Sequence, residues 1–180
     1  MQIDKMNLLL QTFRLNQIKK INDWKKINVS TKIDLMGKKP KKYSELRITS
    51  GSTGKPLYIF YSADAVNAFI KRTVISLELS GITTNDVVLN MFSYGHYIPG
   101  SMYERACALM GTAILPLGTP NTYPREKIID VILDLKPTVW LSVPSYTLQL
   151  LEIVQNTDKS ALPKKVIVAG EKLLNTYVNC

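Results

Sequence analysis

At 180 residues and 46% hydrophobic content, with a mean hydropathy of +0.00, the chain suits one globular domain with a sizeable core. No apolar run approaches the ~18–20 residues of a membrane span. Two cysteines, Cys107 and Cys180, and one histidine give neither a disulfide framework nor a metal-ligand spacing.

Leu8-Leu9-Leu10 is too short for a secretory core, so a reducing cytoplasm is the expected setting and no metal held by the protein alone is expected. The net charge of +9 is uneven: residues 1–55 hold 13 Lys/Arg against 4 Asp/Glu, and residues 56–180 hold 10 of each. No aromatic stacking platform or nucleic-acid motif accompanies the basic front. It therefore reads as a lysine-rich solvated segment, and neither nucleic acid nor membrane is expected as a partner. A milder role is to draw in a polyanionic ligand.

Residues 3–27 place Ile3, Met6, Leu10, Phe13, Ile18, Ile21 and Trp24 at spacings of three and four, which predicts one or two amphipathic helices. Ser30 to Leu35 reads as a helix cap and a short turn of helix, and Gly37–Lys42 as an exposed loop. Residues 1–43 are thus expected to form a helical basic segment, and 44–180 an α/β domain.

Two short strands are expected next, one ending in Arg47-Ile48-Thr49 and one over Leu57–Tyr61. Between them lies Thr49-Ser50-Gly51-Ser52-Thr53-Gly54-Lys55-Pro56. Its glycines let successive amide N–H groups face one concavity, its hydroxyls add donors, and Lys55 adds a movable positive charge. Such a turn can cradle a phosphate chain at the tip of a hairpin. It differs from the common nucleotide-binding P-loop, because Pro56 stands where that loop needs a metal-binding hydroxyl, and a strand follows instead of a helix. On loop composition alone, an ordinary hairpin turn fits the same residues.

Helix and strand then alternate. Ser62 caps a helix whose stripe is Val66, Phe69, Ile70, Thr73, Val74 and Leu77, ended by Gly81. A strand over Val87–Phe92 precedes a helix from Ser101 to Met110, ended by Gly111. Ala113–Leu115 is a strand closed by Pro116, and Pro124 begins a helix that runs to Lys136. A strand over Val139–Val143, a helix opened by Pro144 and a strand over Val166–Ala169 complete the series. Apolar strands between amphipathic helices predict an α/β fold with a mostly parallel sheet covered on both faces. Ligands bind such sheets beyond the carboxyl ends of the strands. The residues there are Ser93-Tyr94-Gly95-His96, Gly118-Thr119, Pro144-Ser145 and Gly170-Glu171, each equally at home in a routine βα turn. Cys107, inside an amphipathic helix, is most simply a small core residue.

The turn at 49–56 resembles the phosphate-loop signature of the adenylate-forming (AMP-binding) superfamily, which includes the acyl-CoA synthetases. Within it the chain is most similar to the phenylacetate–CoA ligase-like branch. Ser30–Leu35, Ser93-Tyr94-Gly95, Val143-Pro144-Ser145-Tyr146 and Val168-Ala169-Gly170-Glu171 resemble segments that this branch carries in the same order. The resemblance implies activation of a small carboxylic acid by ATP to an acyl-adenylate, then thioester formation with coenzyme A, with Mg2+ on the phosphates. It implies that Thr49, Ser50, Ser52, Thr53 and Lys55 hold the β- and γ-phosphates, with Lys55 stabilising charge during catalysis. Gly51 and Gly54 would let the backbone approach, while Gly170 and Glu171 would lie near the adenine and the metal-bound phosphates. Ser93, Tyr94, Gly95, His96, Pro144 and Ser145 would line the acid pocket. His96 could also be a surface histidine, and no base is required, since the attacking carboxylate is already ionised at neutral pH.

Two departures accompany the resemblance. Lys172 replaces the family's usual proline, and the family's aromatic-Gly-x-Thr-Glu motif, ribose aspartate and catalytic-lysine domain fall beyond Cys180. The expectation is therefore an incomplete N-terminal part, inactive alone. The alternative is a non-catalytic or split-enzyme module that needs a second chain.

Overall fold

A computed structural model of the chain describes residues 43–48 and 58–171. The helices expected before residue 43, the turn at 49–56 and Lys172 lie outside the described residues. The chain divides into two compact units, Met1–Tyr43 and Ser44–Cys180, and every described residue after Tyr43 belongs to the second.

Strands β1 (Tyr43–Ile48) and β2 (Tyr58–Ser62) pair as a two-stranded sheet, so the expected turn is flanked by strand on both sides. Helix α1 (Ala63–Leu79) starts where Ser62 Oγ accepts the Ala65 N–H at 3.2 Å. It stops in a Schellman arrangement: Gly81, at φ +74°, donates to Glu78 O at 2.9 Å, and Ile82 donates to Leu77 O at 3.1 Å. Then come β3 (Val87–Asn90), α2 (Pro99–Met110), β4 (Ala113–Pro116), α3 (Arg125–Leu135), β5 (Val139–Ser142), α4 (Pro144–Thr157), a single 3-10 turn (Lys159–Ala161) and β6 (Lys165–Val168).

The four later strands form one parallel sheet in the order β4-β3-β5-β6. Strand period decides which layer each side chain joins. Val88, Val139 and Leu141 pack with Leu77 of α1, Ile82 just beyond it, and Ala106 and Cys107 of α2. Leu89 and Trp140 point the other way, into Ile128, Ile132, Leu150 and Val154 of α3 and α4. The expected α/β fold with helices on both faces is thus observed. The strand order explains the division. After β3 the chain steps outward to β4, and after β5 it steps the opposite way to β6. Right-handed crossovers in opposite directions put their helices on opposite faces.

The amino ends of β3, β5 and β6 are tied by Asp86, which is 7% exposed. It accepts from the Thr83 N–H at 2.9 Å, the Thr83 hydroxyl at 3.2 Å and the Thr138 hydroxyl at 2.8 Å, with Lys165 Nζ at 3.6 Å. Burial pushes its carboxyl up. The Thr83 N–H, the Thr138 and Thr83 hydroxyls and the Lys165 charge together outweigh that and hold it below the usual value. A depressed folded pKa stabilises at neutral pH, and the contribution is lost as pH falls below the ordinary 3.8 and through the folded value. Urea midpoints measured from pH 7 down to pH 3 are expected to fall for the wild type. Asp86→Asn should cost about 1–3 kcal/mol at pH 7 and fall less steeply in acid. Parallel wild-type and variant curves would contradict this.

Candidate functional site

Strands β3 and β5 are neighbours whose onward connections diverge, which makes the gap beyond their carboxyl ends the switch point where such sheets bind ligands. The gap is closed below by the Met91 N–H donating to Leu141 O at 2.8 Å. A group of residues stands on each side of it.

On the β3 side the centre is Asn90, fully buried at the strand end. Its Nδ2 donates to Tyr94 Oη at 2.8 Å and to Gly100 O at 2.9 Å, and its Oδ1 accepts from the Phe92 N–H at 3.2 Å. Its carbonyl receives the Gly118 N–H at 3.0 Å, which fastens the loop after β4 to the loop after β3. That bonding pulls Phe92 off the ladder, which is why β3 ends at Asn90 and not at Phe92. The first turn of α2 begins at Pro99, two residues before the expected Ser101, and passes so close to residues 92–93 that a Cβ on Gly100 would lie 2.6 Å from Ser93 O. Tyr94 is half-buried, its ring against Gly118. Burial, and then the nearby Glu104 carboxylate, push its phenol well above the ordinary value, so it stays neutral and serves as a hydrogen-bonding wall. His96 is exposed, its ring 4.1 Å from that of Tyr97.

On the β5 side, Pro144 is buried at the first position of α4, and Val143, expected in the strand, precedes the helix as its cap. Glu171 grips the helix start: Oε2 accepts the Ser145 N–H at 3.0 Å and Oε1 accepts the Ser145 hydroxyl at 2.9 Å. A carboxylate is favoured here by the helix dipole and by the free N–H groups of the first turn. Gly170, at φ +91°, makes the bend that brings Glu171 back, with Val143 3.4 Å from the place of a Cβ. Ala169 donates to Ser142 O at 3.1 Å.

Ser93, Tyr94 and Gly95 thus gather beside Asn90, and Pro144, Ser145, Gly170 and Glu171 gather opposite. Residues 49–55 lie outside the described residues. Sequence reasoning missed Asn90, Gly100 and Arg47. Arg47 joins Glu45 at 2.8 Å, and Glu45 also pairs with Arg105. Burial raises the Glu45 carboxyl, but the Arg105 and Arg47 guanidiniums outweigh it and hold its pKa below the ordinary value. Cys107 is fully buried in the core as expected, and burial pushes its thiol up to about 11, far from a nucleophilic thiolate. Among the described residues no three His, Cys, Asp or Glu gather as a metal site, and no helix is long and apolar enough to cross a membrane.

The layered parallel sheet with polar loops at its switch point defines an α/β domain of the open parallel-sheet class. The model of one family, the AMP-binding enzymes, matches residues 20–179, and the chain belongs to that family. It is 28% identical over 112 residues to the phenylacetate-coenzyme A ligase of Aromatoleum evansii, covering 62% of this chain and 25% of that one. To the phenylacetate-coenzyme A ligase of Escherichia coli K12 it is 24% identical over 166 residues, covering 86% and 37%. The chain therefore spans about a quarter to a third of the curated relatives' length. Among solved structures it resembles 2-hydroxyisobutyryl-CoA ligase in an open conformation with 2-HIB-AMP and CoA, at a TM-score of 0.66 and 15% identity, covering 75% of this chain and 29% of that one. It also resembles the luciferase-like enzyme of the mealworm Zophobas morio, at 0.53 and 19%, covering 78% and 31%. These likenesses speak for the fold.

Proposed function

We propose that the chain is the front part of an adenylate-forming acid–thiol ligase of the phenylacetate–CoA ligase type. In the reaction, an oxygen of an ionised carboxylic acid attacks the α-phosphorus of ATP and pyrophosphate leaves. The thiol sulfur of coenzyme A, losing its proton, then attacks the acyl carbonyl and AMP leaves. The observation that carries the reading is the family match over residues 20–179 in a fold whose switch point is flanked by the Tyr94 and Ser145–Glu171 groups.

In this reading Thr49, Ser50, Ser52, Thr53 and Lys55 grip the β- and γ-phosphates, with Gly51 and Gly54 allowing close backbone approach. Such a loop works by positioning and charge stabilisation. The Ser145 N–H and hydroxyl already hold a carboxylate, that of Glu171, so this donor pair suits an anion. Gly170 and Glu171 border the nucleotide; Ser93, Tyr94, Gly95, His96, Pro144 and Ser145 line the acid pocket. Tyr94 stays protonated and takes no proton. Mg2+ would be carried by the phosphates and neutralise part of their charge.

The chain alone is proposed to bind nucleotide without turnover. Fused to the downstream part of a phenylacetate–CoA ligase, it is expected to catalyse ATP–pyrophosphate exchange that depends on an aryl or acyl carboxylate. In that fusion Lys55→Ala should lower the exchange rate about 10–100-fold, the worth of a charge-assisted hydrogen bond to phosphate. A fusion that folds and binds ATP but shows no exchange with any of a carboxylate panel would contradict the proposal.

A further inference from the structure

Arg47 lies in β1, two residues before the glycine- and hydroxyl-rich turn begins. Its side chain is 12% exposed, and every N–H of the guanidinium is used. Nε and one Nη2 hydrogen bond Glu45 Oε2 at 3.2 and 2.8 Å, and Nη2 also donates to Ser101 Oγ at 2.9 Å. Nη1 donates to the carbonyls of Gly95 and Tyr97, the latter at 3.4 Å. Those two carbonyls flank His96. Gly95 sits at φ +80°, a conformation that suits glycine and turns its carbonyl toward the guanidinium. Glu45 holds Arg47 in place and is itself held by Arg105 on α2. One planar fork therefore joins β1, the loop after β3 and the start of α2. A lysine, with three donors on a single atom, cannot span these acceptors.

We infer that Arg47 is a positioning residue that couples the two halves of the proposed site, by fixing the 95–97 backbone to the strand leading into the phosphate loop. The inference rests on the ligase reading for what each half binds. The clamp itself is geometry. Occupancy of the nucleotide side is then felt at residues 94–98, and the presentation of His96 to the acid depends on Arg47. By reciprocity a bound acid tightens nucleotide binding by the same factor.

Hydrogen exchange read by mass spectrometry tests this on the chain itself, as wild type, Arg47→Lys and Ser101→Ala, with and without saturating Mg·ATP. Without ligand, Arg47→Lys should speed exchange of the two hydrogen-bonded amides that border the clamped loop, Phe92 on Asn90 Oδ1 and Met102 on Ile98 O, about tenfold or more while β3 and β5 stay unchanged, and Ser101→Ala should give a smaller increase at the same amides. With Mg·ATP, these two amides should slow in the wild type, and Arg47→Lys should lose that slowing while still binding nucleotide. A residue that merely held the fold would leave the ligand-dependent slowing intact. Unchanged ligand-free exchange in Arg47→Lys, no slowing in wild type that has bound Mg·ATP, or equal slowing in Arg47→Lys would each overturn the inference. If Mg·ATP fails to bind, the nucleotide reading falls by itself. The ligand-free arm then still decides the clamp: faster exchange in Arg47→Lys supports it and unchanged exchange overturns it.

Discussion

Asn90→Asp should destabilise the protein by about 3–5 kcal/mol at pH 7, the range for a buried charge left without a partner. The amide of Asn90 is fully buried and makes three hydrogen bonds: two donated, to Tyr94 Oη and Gly100 O, and one accepted from the Phe92 N–H. An acid in its place keeps an acceptor for Phe92 but loses both donors, and it sets a negative oxygen against the Gly100 carbonyl. No cation is hydrogen-bonded to the amide, so the introduced charge goes uncompensated. The introduced carboxyl should have a raised folded pKa, so the penalty grows as pH rises above the unfolded value of about 3.9 and shrinks below it. Asn90→Leu carries no charge and should cost about 2–4 kcal/mol at every pH, from the orphaned Gly100 carbonyl and Phe92 N–H and the Asn90 bond lost to the Tyr94 hydroxyl. Urea unfolding followed by far-UV circular dichroism at pH 7 and pH 4 separates the two effects. A loss under about 1 kcal/mol for both variants would show that Asn90 does not hold the loop.

Gly100→Ala should cost about 1–3 kcal/mol although it adds only a methyl group to a helix, where alanine is otherwise the better residue. The added carbon would lie 2.6 Å from Ser93 O, 3.1 Å from Phe92 O and 3.1 Å from Ser93 C, all backbone atoms that cannot rotate away. Relief requires the start of α2 or the segment after β3 to move, and either shift breaks the Asn90–Gly100 bond. Ser93, Tyr94 and Gly95 move with it, so the damage is expected to be greatest at the proposed acid pocket. Thermal unfolding gives the cost, and exchange at the 92–98 amides locates it. A variant as stable as the wild type, with unchanged exchange there, would mean that the contact relaxes freely.

Particular residues show what could be read without coordinates. The layers were legible because they follow from periodicity: Val88 and Leu89 alternate between the two helical faces, as do Val139 and Trp140. The stops at Gly81 and Gly111 were legible because a left-handed residue with no side chain closes a helix by local bonding alone. The start of α2 was not, since Pro99-Gly100 reads as a breaker until the Ser93 backbone is seen beside it. The 3-10 turn at Lys159–Ala161 escaped notice too, being set by Asp158 accepting the Ser160 N–H at 2.9 Å. In the site, Tyr94, Ser145 and Glu171 stand in the strand-end turns that helix–strand alternation marks out, while Asn90 lies unmarked inside the run Val87–Phe92, which reads as one apolar strand. Arg47 looked like one more basic residue in a basic front. Its partners Gly95, Tyr97 and Ser101 are about fifty positions away, and no local pattern connects them.

In the proposed function, the turn at 49–56 grips the phosphates of a nucleotide. Isothermal titration of the chain with Mg·ATP, beside Lys55→Ala, tests it most directly. One site per chain is expected, with an affinity about 10–100-fold weaker in the variant and equal thermal stability of the two proteins. Equal affinities in wild type and Lys55→Ala, or no binding by a folded wild-type chain, would contradict it.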